Sequence, residues 1–216
     1  MTLITRLITK ERVIFWADGY LTYNGFKGPY TTDVCKILEI RDLLIGVSGT
    51  IEYGEYKTKR NILTTISTFL NDSENYDDTV QEKLFAYLID DLRQNNKGRR
   101  IDIGLLISYK QDDILKHYYI NLLWTIIIDF PRTIDEITSI EDQFYFDTNF
   151  RNNEYQSFID LIQKASYQIY GLDLNNDIIN KMTDEEIDKF GKILYILFSK
   201  EYKNNSVGPF FMKASV

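Results

Sequence analysis

The sequence predicts an α+β fold, a four-layer αββα sandwich in which two facing sheets carry helices on their outer sides. Three observations lead there. The first fifty residues read as nearly continuous antiparallel strand, amphipathic helices follow in two separated pairs, and each pair returns to strand. Two sheets packed face to face with helices outside both can bury that much apolar surface from one chain. No repeat, long linker or low-complexity segment interrupts the order, so residues 1–216 read as a single domain.

The elements follow in turn. TLITRLIT alternates at period two, and ERVIFWADG follows a short charged turn, which predicts a hairpin pairing Thr2 to Thr9 with Val13 to Ala17. Asn24-Gly25 and Gly28-Pro29 punctuate LTYNGFKGPYT as turns. VCKILEI and LLIGVSG give two more strands joined at Arg41-Asp42. The period then changes. Ile62, Leu63, Ile66, Phe69 and Leu70 share one helical face, and Val80, Leu84, Leu88 and Leu92 share another. Between them NDSENYDD lacks the central Gly and the terminal Glu of a calcium loop and reads as a loop ending in a helix cap at Asp78.

After NNKGRR the strands resume as IDIGLLISY, ILKHYYINLLW, TIIIDF and QFYFDTNF, with Pro131 in DFPRTIDEITSIED marking the loop before the last. Two helices follow: EYQSFIDLIQKASYQIY, and a longer one from Thr183, where Thr183 and Glu186 form a capping box. VGPFFMKASV closes the chain as a short strand.

Composition excludes several classes. The chain is 44% hydrophobic and 14% aromatic, enough apolar material to offset the entropy of folding. Its formal net charge of -7 argues against nucleic acid and against anionic membrane surfaces, since binding to either draws on clustered Lys and Arg. The basic knot of Lys97, Arg99 and Arg100 reads as a solvated turn. Cys35 is the sole cysteine and His117 the sole histidine, so no internal disulfide, thiolate cluster or two-histidine zinc site is available, and neither metal nor cofactor is expected. Both residues fall in strand patterns, where packing is the expected role. The sequence has no apolar stretch long enough to span a bilayer and no secretory leader, which places the protein in the cytoplasm.

If Met1 is removed, Thr2 carries a hydroxyl and a free amine on one residue at a strand's start, a nucleophile with its own base. With Ala17, Asp18 and Gly19 closing the second strand, Lys36-Ile37 on a later one, and Gly46 to Thr50 as GVSGT, the first fifty residues resemble a proteasome β-type peptidase of the N-terminal nucleophile hydrolase superfamily. The resemblance implies Thr2 as nucleophile, Lys36 beside the hydroxyl, Asp18 holding the Lys36 ammonium, the Gly49 N–H binding the oxyanion, and Ser206 near the terminal amine. It also implies a peptide or amide substrate, self-assembly into a homo-oligomer, and an ATPase as a candidate partner. Two places depart from the family pattern: FDTNFRNNEY, with Thr148 or Asn149, replaces a Ser-Gly turn, and Lys203 stands where an Asp is usual.

Taken singly, each residue has a plainer reading. Asp18-Gly19 is a common turn pair, a strand lysine such as Lys36 snorkels to solvent, Gly49 serves as a turn, and Ser206 as a loop hydroxyl. The chemistry of the joint reading is specific: an α-amine of ordinary pKa about 7.7–8.0 accepts the hydroxyl proton at neutral pH, and an acyl-threonine ester forms and is hydrolysed by water. An attached Met1 would lock that amine in a peptide bond. The expected function is therefore a proteasome-like threonine hydrolase. Its alternatives are a catalytically inactive subunit kept for assembly and an amidohydrolase for a small amide. The GFKGPYT turn with Ile51, Tyr53 and Tyr56 is expected either to line the pocket or, for the last three, to pack a helix.

Overall fold

The structure is a computed structural model that describes residues 4–9, 12–18, 21–22, 29–31, 35–55, 58–73, 76–96, 101–124, 132–136, 145–148, 153–201 and 211–215. In chain order the elements begin with β1 (Ile4–Ile8), β2 (Val13–Asp18), β3 (Leu21–Thr22), β4 (Pro29–Thr31), β5 (Ile37–Ile40), β6 (Leu43–Gly49), β7 (Glu52–Tyr53) and β8 (Arg60–Asn61). Helices α1 (Ile62–Leu70) and α2 (Asp78–Asn95) precede β9 (Ile101–Gln111), β10 (Ile114–Trp124), β11 (Arg132–Glu136) and β12 (Tyr145–Thr148). Then come α3 (Asn153–Tyr170), α4 (Asn176–Lys181), α5 (Asp184–Glu201) and β13 (Phe211–Ser215). The chain is thus α+β, and it divides into two compact units, Met1–Cys35 with Ser139–Ser215 and Lys36–Thr138.

In the first unit the strands form a four-stranded antiparallel sheet in the order β12-β1-β2-β13. Alternation in β1 and β2 brings Leu7 opposite Ile14, and these two with Trp16 form a core with Phe158, Leu161, Phe190 and Phe198 of α3 and α5. The Trp16 and Phe190 rings meet at 6.2 Å. Both faces of β1 and β2 are buried, including Arg6, whose guanidinium lies 5.8 Å from the Phe15 ring centre. At the hairpin turn Arg12 donates to the carbonyls of Ile179 and Met182 at 2.8 and 3.3 Å, satisfying the orphaned end of α4. The box that opens α5 forms as its spacing predicts, with Thr183 Oγ1 and N 3.0 and 2.8 Å from Glu186 Oε2.

The second unit is built on a five-stranded antiparallel sheet, β11-β10-β9-β6-β5. Its long β9–β10 hairpin turns on Asp112 and Asp113, both at positive φ (51° and 62°), and the β5–β6 turn places Arg41 at 53°. Asp and Asn visit this region at less cost than other side chains. Helix α1 starts at the N-cap Asn61, which accepts from Leu63 and Thr64.

Several expectations are corrected here. The α2 cap is Asp77, whose carboxylate accepts from Val80 N at 2.7 Å, because Asp78 turns its own carboxylate toward tyrosines and a lysine of β9 and β10. Residues Arg132–Glu136, read as loop, form the edge strand β11, a position where charge is tolerated because one side is unpaired. No helix follows Gly49 directly: the β7–β8 hairpin intervenes. Cys35 lies outside β5 and is exposed rather than packed within a strand. Helix α4 was not anticipated. TIIIDF, most of the NGFKGPY turn and the NNKGRR knot from Lys97 onward lie outside the described residues.

Candidate active site

Asp18 ends β2, opposite Phe211 of β13, and is fully buried. With Thr5, Trp16, Gly191, Leu194 and Tyr195 it lines a cavity of about 10 Å³. A carboxylate at the last position of a strand otherwise reading VIFWA is placed there by the alternation that sends Ile14 and Trp16 to the same side.

Lys36 and Gly49 belong to the second unit and come to the same end of its sheet. The Lys36 carbonyl accepts from Val47 N at 2.8 Å, extending the β5–β6 ladder one residue beyond the Ile37↔Gly46 pair. Gly49 lies two residues past Val47 on β6, roughly 7 Å along the strand. Lys36 is fully buried rather than snorkelled. Gly49 has φ +80°, and a Cβ there would stand 2.1 Å from the Asp102 carbonyl oxygen. The next residue is pinned too: Thr50 N donates to Asp102 O at 2.6 Å, and Asp102 N donates to Thr50 Oγ1 at 3.3 Å. Thr2, Ser206, Asn149 and Lys203 lie outside the described residues. Thr148 ends β12.

Beyond Gly49 the hairpin is held by a polar cluster that the sequence reading did not single out. Tyr53 donates to Asp91 and lies 2.8 Å from Thr65 Oγ1, while Arg60 Nη1 and Asn95 Nδ2 reach the same carboxylate at 2.6 and 3.2 Å. Burial, then the bond to Asp91, pushes the Tyr53 phenol up to about 12. The signal was available: Asp91 follows Leu88 by three residues, so a carboxylate falls on the apolar face of α2. Tyr53 therefore anchors the hairpin. Ile51 is buried, and Tyr56 is outside the described residues.

His117 is buried with Nδ1 3.0 Å from Ser108 Oγ, its cross-strand neighbour. Among the described residues no group of three His, Cys, Asp or Glu side chains could hold a metal ion, and no helix is long and apolar enough to cross a membrane.

No family model and no curated protein matches the sequence. Solved structures do. Thiobacillus denitrificans BPH in complex with epoxomicin is 12% identical, with all of this chain and 98% of that one covered, at a TM-score of 0.55. Anbu (ancestral beta-subunit) from Yersinia bercovieri is 13% identical, with all of this chain and 81% of that one covered, at 0.56. The chain shares the proteasome β-type fold of these structures, the fold that the resemblance of its first fifty residues implies.

Proposed function

We propose that this protein is a proteasome-like threonine hydrolase, a peptidase whose nucleophile is Thr2 once Met1 has been removed. The observation that carries the reading is Lys36: a lysine buried completely at the same end of the sheet as the left-handed Gly49, on this fold. A fully buried lysine is uncommon, and groups of this kind cluster at functional sites.

In the proposed mechanism the Thr2 amine takes the proton of its own hydroxyl, and the hydroxyl oxygen attacks a peptide or amide carbonyl. Lys36 stays charged and stabilises the forming alkoxide, Asp18 holds its ammonium, and Ser206 supports the terminal amine. The Gly49 N–H binds the oxyanion, a contribution on the order of 3 kcal/mol where such donors have been removed. The tetrahedral adduct then collapses, the C–N bond breaking as the Thr2 ammonium returns its proton to the departing amine, and water hydrolyses the acyl-threonine ester to release the acid and restore the Thr2 hydroxyl. The same reading takes residues 1–216 as one four-layer αββα domain, consistent with strands β1, β2 and β6 being buried on both faces. It takes the protein as a cytoplasmic homo-oligomer, with an ATPase as candidate partner.

Lys203, where the family pattern has an acidic residue, favours a second reading, an inactive subunit kept for assembly. One experiment separates them. Intact mass shows whether Met1 is lost, and an epoxyketone or β-lactone probe is expected to label Thr2 in protein that begins there. Absence of labelling in such a sample overturns the peptidase and leaves the scaffold.

A further inference from the structure

Strand register gives the Gly49 amide a direction. Val47 N donates to the Lys36 carbonyl, and N–H groups two residues apart on an extended strand face the same neighbour. The Gly49 N–H therefore faces the β5 side, one step beyond the bond between Val47 and Lys36. A glycine at φ +80° is also free to leave that conformation, because no Cβ restricts it. Its neighbours must hold the peptide if the N–H is to serve as a fixed donor.

The holding groups flank it. On one side Ser48 Oγ donates to the Gly104 carbonyl at 3.3 Å. On the other, the β6–β9 ladder runs to Gly49↔Ile103, and its next pair sets Thr50 opposite Asp102. Half of that pair is regular: Thr50 N donates to the Asp102 carbonyl at 2.6 Å. The other half is rebuilt. In a regular ladder Asp102 N would donate to the Thr50 carbonyl, whereas here it donates to Thr50 Oγ1 at 3.3 Å. The hydroxyl stands in for the main-chain acceptor, so the chain turns at Gly49 while the Asp102 N–H keeps a partner. One residue of β9 thus grips Thr50 at N and at Oγ1, directly after the peptide unit that the glycine leaves loose.

We propose that Thr50 is a positioning residue of the hydrolase: its hydroxyl, by accepting from Asp102 N, holds the Gly49 peptide with its N–H toward the place where the oxyanion forms. The inference rests on the threonine chemistry proposed above and adds a residue to it. Thr50 acts through Gly49 and needs no contact with the substrate. An oxyanion donor contributes most when its orientation is set before the reaction, so loosening it costs rate in the transition state more than it costs binding.

The test uses the full chain beginning at Thr2, confirmed by intact mass, with Thr2 labelling followed against epoxyketone concentration. Thr50→Val keeps the β-branched shape and removes the acceptor, Thr50→Ala is a second hydroxyl-free variant, and Thr50→Ser restores the hydroxyl. In both hydroxyl-free variants the maximal labelling rate should fall about tenfold or more, with the half-saturating probe concentration within about threefold of wild type. Thr50→Ser should label within about threefold of wild type. Hydrogen exchange at the Asp102 amide should be about fivefold faster in the hydroxyl-free variants and unchanged in Thr50→Ser. A labelled wild type with undiminished labelling of Thr50→Val and Thr50→Ala overturns this role and leaves the peptidase standing. So do an equal loss in Thr50→Ser, a loss confined to the half-saturating concentration, or unchanged exchange at Asp102. Wild type that begins at Thr2 and takes no label overturns the peptidase reading itself, and the role of Thr50 with it.

Discussion

The Tyr53 hydroxyl donates to the Asp91 carboxylate, and through that bond the β7–β8 hairpin is fastened to helix α2. Because burial and the carboxylate raise the phenol to about 12, the folded state keeps its proton at pH values where an unfolded tyrosine, near 10, has lost it. The stabilisation is therefore complete below pH 10 and declines as pH rises toward 12. Tyr53→Phe should cost about 1–2 kcal/mol at neutral pH and show a shallower alkaline loss. Urea unfolding at neutral and alkaline pH checks this; identical alkaline losses in both proteins would remove Tyr53 as the source.

Two glycines at similar positive φ separate strain from crowding. Gly171 (φ +69°) has nothing within 4 Å of a built Cβ, whereas at Gly49 (φ +80°) the Asp102 carbonyl oxygen is 2.1 Å away. Gly171→Ala should cost about 1 kcal/mol, the backbone component alone. Gly49→Ala adds a collision with main chain and should cost about 3 kcal/mol or more. Thermal melts of the two variants decide it, and equal costs would mean that the loop at Gly49 gives way freely.

Where a local rule acts alone, the sequence was readable. The alternation of Leu7 and Ile14, the Arg41-Asp42 turn and the Thr183–Glu186 box depend on neighbours a few residues away, and each formed as expected. The β7–β8 hairpin was not legible because its strands are two residues each, too short to alternate, and tertiary bonds to Asp91 hold it. Arg132–Glu136 was missed for a different reason: an edge strand beside a proline carries the charges of a loop. Asp77 and Asp78 are equivalent as caps in sequence, and only the tyrosines and lysine across the sheet decide between them. The burial of Lys36 and Asp18 was not legible, since neither periodicity nor charge distinguishes a buried ion from a solvated one.

Lys36 is the sharpest test of the proposed chemistry. An alanine there would open a cavity as well as remove the charge, so Lys36→Met, which keeps most of the volume, is the better variant. Labelling of Thr2 by an epoxyketone should fall by about 10²–10⁴-fold while circular dichroism still reports a folded chain. Undiminished labelling of folded Lys36→Met would take the lysine out of the mechanism.

Asp78 provides an acid-side counterpart to Tyr53. The Lys116 ammonium at 2.5 Å, and after it the Tyr109 hydroxyl, hold its carboxyl below the ordinary value of 3.8, and Tyr118 adds a bond at 3.2 Å. A depressed carboxyl stabilises the fold above its unfolded pKa and loses that contribution as pH falls through the folded value. The group is more than half exposed, so the contribution is screened and modest. Wild type and Lys116→Met should therefore differ most above about pH 5, converge as the pH falls toward about 2, and differ less in about 1 M salt. Urea unfolding across that pH range reads the effect. A gap that persisted at the acid end would assign it to the packing of the lysine stem against Tyr109 and Tyr118 instead of to the ion pair.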